Sequence, residues 1–181
     1  MARWTIQDVH TAAEFAVRHM MITYVRGHFK NISGTLEIDP EHPEQASAQV
    51  AFDAASLWTG QPERDDHLRS EDFLYVERFP TISFRSTKVE PGARNEYRVT
   101  GDLTIRGVTR PVVLDVRYLG KGRSPFDDTR AGFTASARIN RHDFGASWNA
   151  EMQDGGVVVG DEVFITIDVE AILEEGPTAA G

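Results

Sequence analysis

Apolar positions recur every second residue over most of this chain. Residues 97–118 show the pattern best: Tyr97, Val99, Gly101, Leu103 and Ile105, a G-V-T-R-P turn signal at 107–111, then Val112, Leu114, Val116 and Tyr118, with Arg, Thr and Asp between them. A period of two places successive side chains on opposite faces of a strand, so this segment reads as a long hairpin with one apolar face. The same alternation runs through Phe15, Val17 and His19, through Ile32, Gly34, Leu36 and Ile38, through Ala48, Val50 and Phe52, and through Ile82 and Phe84. It returns in Phe133, Ala135, Ala137 and Ile139 and again in Val163, Ile165, Ile167 and Val169. Together these segments predict eight strands. D-P-E-H-P (39–43), E-P-G-A-R-N (90–95) and Q-D-G-G (153–156) carry the Pro and Gly that turns require.

Long strands with a single apolar face favour an antiparallel meander, and closing eight of them into a barrel removes the exposed edges. The expected fold is therefore all-β, an eight-stranded antiparallel β-barrel. Residues 61–80 interrupt the alternation: a Pro stands near the start, acids come early, and Leu68, Phe73, Leu74, Val76 and Phe79 fall closer to a helical spacing. That stretch predicts one or two short helices, with Ser70 capping the second, acting as a plug or a lid. No linker or repeat divides the chain, so one domain is expected over 1–173, followed by a frayed tail at 174–181.

Composition narrows the function. The 181 residues suffice for a sizeable core, and the absence of Cys excludes disulfides, a thiol nucleophile and thiolate metal sites. With 19 basic against 28 acidic residues the net charge is −9, which argues against a nucleic-acid partner. No run approaches the length of a membrane-spanning helix, so no stable membrane insertion is expected. The start M-A-R-W-T-I-Q-D lacks the apolar core of a secretory leader; taking Met1 as the true start, the expected location is cytoplasmic.

A barrel of eight strands either fills its interior with side chains or leaves room for one small ligand. Small residues at inward positions, Gly34, Gly101, Ala135 and Ala137, favour room. The candidate ligand-binding set is the inward-facing Phe15, Val17, Leu36, Val50, Phe52, Phe84, Leu103, Ile105, Val112, Leu114, Val116, Phe133, Ile139 and Ile165, with Trp148 at the pocket mouth. Trp4 and Trp58 read as core fillers or rim residues. The six histidines show no H-E-x-x-H spacing, so no metal and no cofactor is expected; a site assembled in space from His10, His19 and His67 is the alternative. Arg64, Asp65, His67, Arg69 and Asp72 form the densest charged cluster. A catalytic Asp-His pairing there lacks a nucleophile in a G-x-S-x-G elbow, so no catalytic residue is assigned, and the cluster is expected instead to cap the short helices and bind neighbouring backbone.

Four motifs in order carry a resemblance: R-D-x-H-L-R-S-x-D-F (64–73), F-P-T-I-S-F-R-S-T (79–87), G-D-L-T-I-R-G-V-T-R-P-V (101–112) and R-x-D-F-G (141–145). With Asp8, His10, Phe15, Val17 and His19 and the V-R-G-x-F of 25–29, they make residues 4–172 resemble the YceI-like family of lipid- or polyisoprenoid-binding domains. The resemblance implies an extended lipocalin-like barrel. Its interior would hold a long-chain isoprenoid or fatty-acid-like lipid for storage, transport or sequestration, without chemistry. Arg110 or Arg141 would suit a phosphate or carboxylate head, because a guanidinium forks two N–H groups onto it. Two other readings stay open: an enzyme acting on a small hydrophobic substrate, and a stress-related interaction module working as a homodimer.

Overall fold

The computed structural model describes residues 1–175. Ten strands follow in order: β1 (Ala2–Ile6), β2 (Ala12–His19), β3 (Thr23–Phe29), β4 (Ile32–Ile38), β5 (Ser47–Asp53), β6 (Thr81–Pro91), β7 (Glu96–Ile105), β8 (Val108–Arg123), β9 (Thr129–Asn140) and β10 (Val159–Leu173). One α-helix, α1 (Pro62–Arg69), lies between β5 and β6. All pairings are antiparallel. A ring runs β1-β4-β5-β6-β7-β8-β9-β10 and closes where Trp4, Thr5 and Ile6 pair with Leu173, Ile172 and Ala171.

β2 and β3 complete two of the eight staves. β1 and β2 follow one another along β10, separated by a single helical turn at Asp8–His10. β4 and β3 likewise share one line, broken at Lys30 and Asn31. The product is a closed eight-stranded antiparallel barrel with two broken staves, and the alternation predicts eight staves but not the breaks. β1 and β3 were not expected as strands because β1 is short and β3 turns only Val25, Gly27 and Phe29 inward.

Three further expectations are corrected. The turn between β7 and β8 is the two-residue Arg106-Gly107, not 107–111, because both residues take positive φ (52° and 70°), the geometry that matches a tight hairpin. Pro111 lies inside β8, opposite Asp102. The second helix is absent: Ser70 caps the end of α1, its hydroxyl donating to the carbonyl of His67 at 2.6 Å. Tyr75 then takes a left-handed φ of 49°, which a right-handed helix cannot continue through. At the chain end, Glu174 is held, since its N–H donates to Arg3 O at 2.8 Å and its carboxylate accepts from Thr5 Oγ1 at 2.6 Å. The rest of the expected tail, 176–181, lies outside the described residues.

The interior divides along the barrel axis. Around the β1–β10 closure, Trp4, Ala131 and Ala171 are buried and pack with Leu36, Ile38, Tyr118 and Phe133. Trp4 is thus a core filler, and its Nε1–H has no hydrogen-bond partner. In the middle, Phe84, Val89, Val99 and Leu103 are buried together, with Val112, Leu114 and Val116 against them. Gly101 does not leave room there: a Cβ on it would run into the Phe84 ring and the carbonyl of Arg85, so the ring occupies the space that the glycine vacates. Gly34 faces the main chain of β5 at Gln49 in the same way. Gly101→Ala is therefore expected to lower stability by about 1–3 kcal/mol through overpacking, read as a lower denaturation midpoint at unchanged slope; unchanged stability would show that Phe84 does not need that seat.

Candidate ligand-binding site

Above the packed middle, toward the β2–β3 end, the barrel encloses a cavity of about 480 Å³. Its walls are the inward faces of β2, β3 and β10 with the upper ends of β5, β6, β7 and β9. Phe15, Val17, Val25, Phe29, Phe52, Ile105, Val163, Ile165 and Ile167 all line it and all keep part of their surface accessible. Their side chains face inward, onto the cavity. Three phenylalanines, one each from β2, β3 and β5, run across one wall: Phe15 to Phe29 at 5.5 Å between ring centroids, and Phe29 to Phe52 at 5.1 Å. Gly27 makes the first placement feasible, since a Cβ there would stand 2.5 Å from Phe15 Cζ and 2.8 Å from Trp58 O.

Two covers close this end. The first is residues 57–80, carrying α1; Arg64 braces it internally, and Arg69 and Arg106 tie it to the rest of the chain through main-chain oxygens. Arg64 donates to Thr59 O and Oγ1, both at 2.8 Å, and Arg69 to Ala55 O at 2.9 Å and to Leu57 O. Arg106, from the β7–β8 turn, donates to Phe73 O at 2.9 Å and to Glu71 O. Asp65, buried on α1, accepts from the N–H of Thr59 at 2.9 Å and from its hydroxyl. Leu57, Leu68, Phe73 and Leu74 are thereby turned onto the cavity.

The second cover is residues 141–158, built around Arg141. Arg141 is 5% exposed and donates to Gly160 O at 2.8 Å, Ala146 O at 2.6 Å, Trp148 O at 2.8 Å and Val159 O at 3.2 Å. Burial pushes its pKa below the usual guanidinium value, an effect that the nearby Asp161 carboxylate opposes. The covers meet at an aromatic seam: His67 lies edge-on to Trp148 at 4.6 Å and to Phe73 at 5.0 Å. His67 Nε2 also contacts Asp72 Oδ2 at 2.8 Å. The Asp-His pair foreseen in this cluster thus forms, but among the described residues no hydroxyl is hydrogen-bonded to the ring; Ser70 bonds the His67 carbonyl instead.

The candidate set divides. Phe15, Val17, Phe52, Leu103, Ile105, Ile139, Ile165 and Trp148 border the cavity. Leu36, Val50, Phe84, Val112, Leu114, Val116 and Phe133 do not; they face inward but lie lower, packed against other side chains. Arg141 borders the cavity, yet four of its five N–H donors are committed to carbonyls. Arg110 is exposed on β8, away from the lining, so the head-group reading fails there. Trp58 is a rim residue, 55% exposed, with His28 at 5.0 Å. His10, His42, His67 and His142 each contact a carboxylate, and among the described residues no three His, Asp or Glu gather as a metal site. Sequence reasoning missed the lining residues Val25 and Phe29, although V-R-G-x-F marked them, and Leu68 and Phe73 of the cover.

This geometry defines a lipocalin-like barrel with an apolar cavity under a two-part cover. A sequence model of the YceI-like domain matches residues 4–171, and the chain belongs to that family. A UPF0312 protein of Pseudomonas savastanoi is 38% identical over 136 residues, 75% of this chain and 71% of its own length. BcnA of Burkholderia cenocepacia superposes with a TM-score of 0.80 at 27% identity, covering 91% of this chain and 98% of that one. A domain of Saccharophagus degradans described as polyisoprenoid binding shares the fold, with a TM-score of 0.68 at 13% identity over 94% of this chain and 98% of its own.

Arg141→Lys keeps the charge but brings its three donors to one nitrogen, which cannot span four carbonyls. We expect it to destabilise the protein by about 1–3 kcal/mol for the carbonyls left unpaired. Amide exchange should accelerate across 146–158 before it does in the strands; protection of that segment equal to the native protein would contradict the role given to Arg141.

Proposed function

We propose that the protein is a lipid-binding barrel that shields one long apolar chain, a polyisoprenoid or a fatty-acyl chain, without carrying out chemistry on it. The observation that carries this reading is the cavity itself. Its volume lies within the roughly 300–1,000 Å³ of small-molecule sites, its walls are apolar, and it stops at the packed layer of Phe84 and Leu114 rather than running through the barrel. Family membership and the fold shared with a polyisoprenoid binding domain support the same reading.

Affinity would come from desolvation. Each buried methylene contributes about 0.8 kcal/mol, so ten approach 8 kcal/mol before the cost of ordering the chain. Polar residues at its border include Arg18 and His19 at the end of β2, Gln61, Glu63, Arg64 and His67 of the first cover, and Arg141 of the second. The lipid's head would sit among them and its tail would point toward Phe84.

Filling the cavity separates binding from folding. Ile165→Trp adds volume where there is empty space, so the melting temperature is expected to stay close to native while uptake of a fluorescent fatty acid, followed by emission on titration, falls by about tenfold or more. Undiminished uptake by a folded Ile165→Trp protein would contradict the assignment of this cavity.

A further inference from the structure

The hairpin between β2 and β3 turns through Met20 and Met21, at φ 50° and 61°, with the N–H of Ile22 donating to His19 O at 3.2 Å. Two successive positive φ angles make a type I′ turn, whose usual occupants are Asn and Gly because other side chains are strained there. Elsewhere, positive φ at residues other than glycine has a local reason. Asn31, Asn95 and Asp127 are of the types that tolerate it, while Tyr75 and Arg106 hold the first cover, the guanidinium lying 5.6 Å over the ring. Met20 and Met21 are neither of those residue types nor part of a cover. Met20, Met21 and Ile22 are 38%, 45% and 81% exposed, so three long apolar side chains are carried into solvent on a strained turn.

The tip stands at the cavity entrance. Met20 N–H donates to Val158 O at 2.7 Å, and Val158, Arg18 and His19 border the cavity. Two cations flank it. Arg18 donates to Met21 O at 2.9 Å and lies 5.2 Å over the Tyr24 ring, and Arg26 lies 5.6 Å over the same ring. Neither forms an ion pair among the described residues, whereas Arg138, on the neighbouring Phe164, meets Glu162. Two cations without ion-pair partners among the described residues thus stand beside the apolar tip of a chain whose net charge is −9.

We propose that the Met20-Met21-Ile22 tip docks on an anionic lipid bilayer, its apolar side chains entering the interface and Arg18 and Arg26 meeting the head groups. Docking would set the cavity entrance against the membrane, where an apolar chain can pass without crossing water. Apolar insertion with flanking cations is the general basis of peripheral membrane binding. The purpose of docking rests on the lipid-site reading of the cavity, but the docking does not.

The test is cosedimentation of the full chain with vesicles of phosphatidylcholine alone or mixed with phosphatidylglycerol. Native protein is expected to bind the mixed vesicles and to be partly released by salt. Met20→Asn combined with Met21→Gly supplies the preferred turn, so it should melt at the native temperature or higher while binding falls by about tenfold or more. Arg18→Gln with Arg26→Gln should abolish the preference for anionic vesicles. No binding of the native protein, equal binding to both vesicles, or undiminished binding of the turn variant would overturn the proposal. So would a dimer, seen by sedimentation velocity, that the turn variant loses, since the tip's partner would then be a second copy. Ile165→Trp keeps the two readings apart: it should bind vesicles as the native protein does, whatever becomes of lipid uptake.

Discussion

The amide of Ile32 donates to the carboxylate of Asp8 at 2.8 Å, and that bond joins the two places where the barrel wall is broken. Asp8 begins the turn that separates β1 from β2, and Ile32 begins β4 just after the break that ends β3. β10 passes the same level through Glu170, whose carbonyl accepts from Gln7 at 2.8 Å on one side of the turn and whose N–H donates to Thr11 Oγ1 at 3.3 Å on the other. One strand thus exchanges partners without losing hydrogen bonds. Below the break, β1 bridges β10 and β4 and the ring is complete. Above it, β3 has β2 on one side, and toward β5 a single bridge between His28 and Trp58.

The cavity follows from that asymmetry. A ring that closes tightly lets opposed side chains meet, as Trp4, Leu36 and Phe133 do. Where the ring is incomplete, the inward residues of β2, β3 and β10 face others too distant to fill the gap, and residues 57–80 and 141–158 cover it. The covers depend on arginines bonded to main-chain carbonyls as well as on apolar packing. Such bonds contribute about 1.5–3 kcal/mol each when the donor is charged, enough to hold a cover and little enough to release it locally. The seam of His67, Phe73 and Trp148 is where two separately anchored covers meet, so opening there need not disturb the barrel.

The sequence showed which way side chains face but not how deep they lie. A period of two assigns Phe52 and Val50, or Leu103 and Leu114, to the same inner face, and the structure agrees. Yet Phe52 and Leu103 border the cavity while Val50 and Leu114 are packed beneath it. Depth depends on strand register and on which staves are broken, and neither leaves a periodic trace. Gly101 shows the same limit: a glycine facing inward reads as space, but Phe84 from the neighbouring strand fills it. The cover was legible as an interruption of the alternation at 61–80, and its charged cluster does bind neighbouring backbone through Arg64 and Arg69, but which carbonyls those arginines reach leaves no pattern of side-chain types. Motif resemblance reached further than periodicity, because its motifs contain the anchors of both covers: Arg69 and Arg106 for the first and Arg141 for the second.

The central claim is that the incomplete end of the barrel holds one apolar chain. Native mass spectrometry of the purified protein, before and after organic extraction, measures this most directly. One lipid-sized mass increment per chain, lost on extraction and restored by adding an isoprenoid or a fatty acid, is the result predicted. A protein that flies at its bare mass and gains nothing from either lipid would contradict it.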